Sequence, residues 1–130
     1  LEEKGQGYFQ SPSGGPLVQH SLLAMFEISN KGKISLEDVV SKMCHAPAEL
    51  FRIVGRGYIR KGYWADLVLI DPNKSYTVTK ESILYKCGWS PFEGIRFSSR
   101  VKTTIVNGEI VYDNGRLYEI NPAMSLRFER

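Results

Sequence analysis

The amino-acid sequence predicts a chain that is helical in its first half and built of strands in its second. Three observations carry that prediction. Apolar residues recur at helical spacing after Pro16, a nearly unbroken apolar run "ADLVLID" fills residues 65–71, and two Asn-Gly pairs punctuate the residues beyond it. By itself, helices first and strands afterwards reads as a small α+β domain. With 130 residues, 42% of them hydrophobic, the chain is long enough for one core and short for two. Global disorder is excluded by the same composition.

Residues 1–16 are rich in Gly, Ser and Pro and read as loop; they open without a start methionine or a cap, the pattern of a chain that begins inside a longer one. In "PLVQHSLLAMFEISNKG" Leu17, Val18, Leu22, Met25, Phe26 and Ile28 predict a helix, with Pro16 in its first turn and Gly32 after its end. In "SLEDVVSKMCHAPAELFRIVG" Ser35 and Asp38 predict a capping box, and Val39, Val40 and Met43 a buried stripe. Pro47 is expected to interrupt that helix and start a short one ending near Gly55. The run at 65–71 predicts a strand buried on both faces or in a sandwich core, stopped by Asp71 and Pro72. Asn107 and Gly108, between residues 103–106 and 109–112, predict a tight hairpin, and Asn114 and Gly115 close the next strand. The tail, residues 119–130, carries too few apolar residues to choose between an arm and a surface closure. Broad apolar helix faces beside a self-sufficient sheet raise the alternative that the helices pack on residues outside this chain.

Composition narrows the function. Seventeen Lys and Arg against fourteen Asp and Glu give a net charge of +3, spread along the chain. Only "RGYIRKGYW", residues 56–64, interleaves basic and aromatic residues as a nucleic-acid surface requires, and a solvated turn before a strand explains it as well. Cys44 and Cys87 lack metal or disulfide spacing, and no apolar run has the length of a membrane span or the form of a signal peptide; a cytoplasmic chain without nucleic-acid or membrane partners is expected. His20 and His45 lack partners at ligand spacing and read as packing residues. Asp66 reads as a turn-fixing carboxylate. Glu2 and Glu3 have no partner that the sequence identifies. The loop "SPSGGP", residues 11–16, is the candidate ligand contact, because glycines let backbone amides approach an anion at the head of a helix. It lacks the Lys and Ser/Thr of a nucleotide-binding P-loop.

Taken together, "SPSGGP", "HAPAELFRIVGRGYIRKGYWADLVLIDP", "SPFEG" at residues 90–94 and "VKTTIVNGEIVYDNG" at 101–115 resemble the carboxy-terminal part of a dihydroorotase or related cyclic amidohydrolase. The spacing Gly57, Ile59, Gly62, Ala65, Asp66 through Pro72 is the most specific feature. The resemblance implies an α/β fold: the end of a (β/α)8 TIM barrel followed by strands of a small composite β-sandwich. Residues 1–55 would supply the last active-site loop and final barrel helices, 56–118 sandwich strands, and 119–130 the tail. It implies one or two zinc ions held by histidines, a modified lysine and an aspartate, all upstream of Leu1, so that no catalytic or metal residue falls in this chain and the segment alone is inactive. The substrate-contacting loop of such enzymes falls on Pro12, Gly14 and Gly15. The reaction implied is reversible hydrolysis of dihydroorotate to carbamoyl aspartate, in pyrimidine biosynthesis, with the rest of the amidohydrolase chain as partner and a homodimer left open. "GGPLVQH", residues 14–20, departs from the glycine and glutamate found near that helix start in many relatives. A hydantoin or allantoin substrate, or a catalytically silent subunit, therefore stays open.

Overall fold

The computed structural model describes residues 2–129, and the order of elements is helices, then strands. A 3-10 turn at Glu2–Lys4 opens the chain, and residues 5–16 continue without regular structure. Helix α1 spans Ser21–Asn30. It starts four residues later than the apolar pattern suggests, because residues 17–20 form a separate turn in which Leu17 accepts from the amides of His20 and Ser21. Val18 is consequently exposed at 88%. At the other end Lys33 N–H bonds to Ile28 O and Gly32 N–H to Ser29 O, the paired closure that a glycine at φ +68° permits.

Helix α2 (Leu36–Val40) has the predicted capping box: Ser35 Oγ accepts from Asp38 N–H at 3.0 Å, and Asp38 reaches back to the Ser35 amide. Pro47 does not break the helical path. A π-turn at Ser41–His45 runs directly into α3 (Ala46–Leu50), so residues 36–50 are continuously helical. The wider turn lets Ala46 N–H reach Ser41 O and sets Pro47, which has no N–H to offer, in the first turn of α3. That helix stops at Leu50, short of the expected Gly55. Val39 is buried, whereas Val40 is exposed, so the predicted stripe is narrower than its sequence.

The strands form two antiparallel sheets. β1 (Leu67–Asp71), β4 (Arg100–Val106), β5 (Glu109–Asp113) and β6 (Arg116–Leu117) make a four-stranded sheet in the order β1-β4-β5-β6, while β2 (Tyr76–Thr77) pairs with β3 (Arg96–Phe97). Both Asn-Gly turns are present, with φ of +51° and +88° at Asn107 and Gly108 and +47° and +97° at Asn114 and Gly115, the mirror-image turn whose twist matches the strands. One expectation is corrected here. β1 is an edge strand, and Val68 and Leu69 are 46% and 44% exposed, so the apolar run is not buried on both faces by the described residues. Bulges between Leu69 and Ile70 and between Thr104 and Ile105 add twist to the sheet.

The core joins helix to sheet. Leu23 of α1, Val78 and Phe97 are buried together, with Tyr76, Ile83, Phe92 and Val101 packed against them. The tail returns to the end of the helical region: Val54 N–H bonds to Arg127 O and Glu129 N–H to Arg52 O, both at 2.9 Å, around a bridge between Ile53 and Phe128.

Gly57 sets the distance between helical and β halves. Its φ is +84°, and a Cβ there would lie 2.4 Å from Ala48 Cβ and 2.9 Å from Cys44 O. Gly62 has a similar φ of +87° with nothing within 4 Å. Gly57→Ala is expected to cost about 3 kcal/mol, left-handed strain plus overpacking, and Gly62→Ala only about 1 kcal/mol. Urea denaturation of the two variants measures the difference.

Candidate functional site

The candidate site is built on the loop that leads into α1. Pro12, Ser13, Gly14 and Gly15 are all exposed, and Gly14 adopts φ +85°, which a side chain would resist. Beyond the glycines themselves and their chain neighbours, no heavy atom of the described residues lies within 4 Å of the Cβ position of Gly14 or Gly15, so the loop faces open space. The structure brings Pro12, Gly14 and Gly15 onto one short segment, and that segment is tied at both ends. At its start, Lys4 Nζ donates to the carbonyl oxygens of Pro12 and Gly14, the latter at 2.7 Å, while Ser11 Oγ donates to Gln6 O at 2.9 Å. At its exit, Gln19 is clamped to residues 82–85: its amide N–H donates to Tyr85 Oη at 2.7 Å, its side chain donates to Ser82 O at 2.7 Å, and its side-chain oxygen accepts from Leu84 N–H at 2.9 Å.

His20, beside that clamp, is 1% exposed. Its Nδ1 lies 3.2 Å from Ser90 Oγ, and Tyr76, Tyr85 and Phe92 surround the ring at centroid distances of 5.9–6.2 Å. Burial disfavours the charged imidazolium and lowers its pKa below the ordinary histidine value. His45 packs flat on Tyr58, centroids 4.0 Å apart, with Nδ1 2.6 Å from Gly57 O. The two histidines thus belong to different parts of the fold. Among the described residues, no group of three His, Cys, Asp or Glu side chains could hold a metal ion.

Asp66 sits at the head of β1, where one oxygen accepts from Asn107 N–H at 2.8 Å and the other pairs with Arg56. It fixes the β4–β5 turn, together with Gly108 N–H on Ala65 O at 3.0 Å. The basic-aromatic stretch is likewise engaged internally. His45 and the Arg60 guanidinium each lie 4.0 Å from the Tyr58 ring centre, and two groups that close must occupy opposite faces. Tyr58 Oη donates to Glu49, and Arg56 is spent on Asp66 and Asn107. No face of Tyr58 is left for a base to stack on. Among the described residues no helix is long and apolar enough to cross a membrane.

The residues that sequence reasoning missed are those that hold the loop: Lys4, Gln19 and Tyr85. Lys4 lies eight and ten residues before its acceptors, and Gln19 and Tyr85 are 66 apart, so no periodicity announces either contact.

Residues 15–111, which hold helix α1 and the Gly57-to-Pro72 turn and strand, match the Amidohydrolase family, and the chain belongs to that family. Within it, the chain is 38% identical over 114 residues to a dihydroorotase of Clostridium acetobutylicum, covering 87% of this chain and 27% of that one. It is 32% identical over 117 residues to a dihydroorotase of Pyrococcus horikoshii, with 90% and 27% covered. Among solved structures it resembles the L-hydantoinase (dihydropyrimidinase) of Arthrobacter aurescens, with a TM-score of 0.75 at 31% identity over 85% of this chain and 25% of that one. The chain therefore spans about a quarter of the length of the relatives it matches.

The buried histidine predicts a pH dependence of stability. The folded pKa lies below the ordinary value of 6.5, so the unfolded chain binds the proton more readily, and stability present above 6.5 is lost as pH falls from there toward the folded value. Denaturation midpoints at pH 7.5, 6.5 and 5.5 should fall more for the native sequence than for His20→Gln. Glu27 and Asp38, whose hydrogen bonds to Ser98 and Ser35 lower their pKa values, act in a more acidic window.

Proposed function

We propose that this chain is the carboxy-terminal portion of a metal-dependent cyclic amidohydrolase of the dihydroorotase type. The polypeptide would hydrolyse dihydroorotate reversibly to carbamoyl aspartate in the cytoplasm, as a step of pyrimidine biosynthesis. The observation that carries this reading is the 38% identity to a dihydroorotase over 87% of the chain, against 31% to a hydantoinase over a similar share. In this reading residues 1–55 close a TIM barrel, 56–118 contribute to a β-sandwich and 119–130 form the C-terminal tail. A cleft of about 630 Å³ between the head of α1 and the sheet, lined by Val18, Leu22, Val68, Val101 and Leu117, supports a further layer packing there.

The metal, one or two zinc ions, would polarise the cyclic amide and supply the attacking hydroxide. Its ligands would come from the polypeptide before Leu1. This chain's own contribution is to position the substrate: the backbone of Pro12, Gly14 and Gly15 would border the ring and its carboxylate, and Gln19 would hold the loop's exit still. A hydantoinase-type substrate is the second reading, favoured by the likeness to the hydantoinase structure.

Steady-state hydrolysis by the zinc-loaded full-length polypeptide separates them. Turnover of dihydroorotate with little or none of hydantoin is the expected result. The reverse preference would establish the second reading, and no turnover of any cyclic amide would leave a silent subunit. Residues 1–130 alone, supplied with zinc, are expected to be inactive.

A further inference from the structure

We infer that Lys4 is a positioning residue that turns the backbone amides of Ser13 and Gly15 outward as donors to the substrate, an inference that rests on the dihydroorotase-type reading above. Lys4 is half-buried, and its ammonium donates to Pro12 O and to Gly14 O. The peptide bonds of the described residues are all trans. In a planar trans peptide the N–H points opposite to the carbonyl of the same unit. With the Pro12 and Gly14 carbonyls turned toward Lys4, the N–H groups of Ser13 and Gly15 are turned away from it, both from alternate positions of one strand of chain. Neither N–H has a backbone acceptor among the described residues.

The chemistry is set by that orientation. Because the two carbonyls converge on one ammonium, the two N–H groups diverge, so each is a separate donor, one for the substrate carboxylate and one for a ring carbonyl of the cyclic amide. The cation behind the carbonyls polarises the same two peptide units, which strengthens their N–H ends as donors. Gly14 at φ +85° helps the carbonyls of two alternate residues converge on one ammonium. Lys4 itself touches no substrate in this arrangement. Ser13 enters the site through its main chain alone, so its side chain is dispensable.

The test uses the full-length, metal-loaded polypeptide and dihydroorotate. Lys4→Met is expected to raise KM about tenfold while leaving kcat within about threefold, the loss of charge-assisted orientation of two hydrogen bonds made equally in ground and transition states. Lys4→Arg, which keeps the charge and the donors, should stay within about threefold of the native KM. Cleavage of the loop at residues 11–16 by a nonspecific protease should be faster in Lys4→Met than in the native protein and unchanged in Lys4→Arg. An unaltered KM in Lys4→Met, or a kcat that falls with no change in KM, overturns the inference. A native protein that leaves dihydroorotate intact sinks the proposed substrate instead; the protease comparison then decides the role of Lys4 alone, with equal cleavage of native and Lys4→Met overturning it.

Discussion

The Asp66 carboxylate is the point at which the separate parts of this chain are made to agree. It receives Asn107 N–H on one oxygen and the Arg56 guanidinium on the other, and Arg56 in turn donates to Asn107 Oδ1 at 2.6 Å. Asn107 Nδ2 continues the chain of bonds to Pro122 O. Four segments therefore meet there: the end of the helical region, the start of β1, the β4–β5 turn and the tail. The Arg56 side chain is 12% exposed and Asp66 36%, so solvent weakens the pair's attraction but not its geometry. Without that carboxylate, the guanidinium would stay largely buried with one acceptor fewer, and the turn would lose the bond that fixes it against β1.

Much of the fold is legible in the residues because it is local. The capping box at Ser35 and Asp38 spans three positions, and each Asn-Gly turn supplies its own positive φ; nothing distant is needed to read them. The π-turn was not legible, because Pro47 signals a break in an ordinary helix and only the wider turn removes the conflict. Nor was the exposure of β1, since "LVLI" carries an apolar face regardless of whether its cover is present. Nor was the clamp just before α1, where Gln19 is held by Tyr85, Ser82 and Leu84 from more than sixty residues away.

The candidate loop divides in the same way. Its glycines and its place before a helix are visible in "SPSGGP", whereas the lysine that turns its carbonyls is separated from it by an exposed turn that no pattern distinguishes. The burial of His20 gives the loop a rigid neighbour. Its ring fills the space between α1 and the aromatic side chains of Tyr76, Tyr85 and Phe92, so the last residues before the helix stand on packed core instead of on solvent. A loop fastened by a cation at one end and by core at the other keeps its main chain oriented without side chains of its own, which is how glycines can serve as a binding surface.

The two Asn-Gly turns share a backbone shape but differ in chemical durability. Spontaneous loss of an asparagine amide requires the next residue's nitrogen to swing onto the side-chain carbon. At Asn107 both participants are engaged, the side chain by Arg56 and Pro122 and the Gly108 nitrogen by Ala65 O. At Asn114 the side chain has only its neighbour Asp113, at 3.2 Å, and the Gly115 nitrogen has no partner among the described residues. The network that joins the parts of the fold therefore also shields one of its asparagines from ageing, and leaves the other, at the sheet's outer hairpin, open to it.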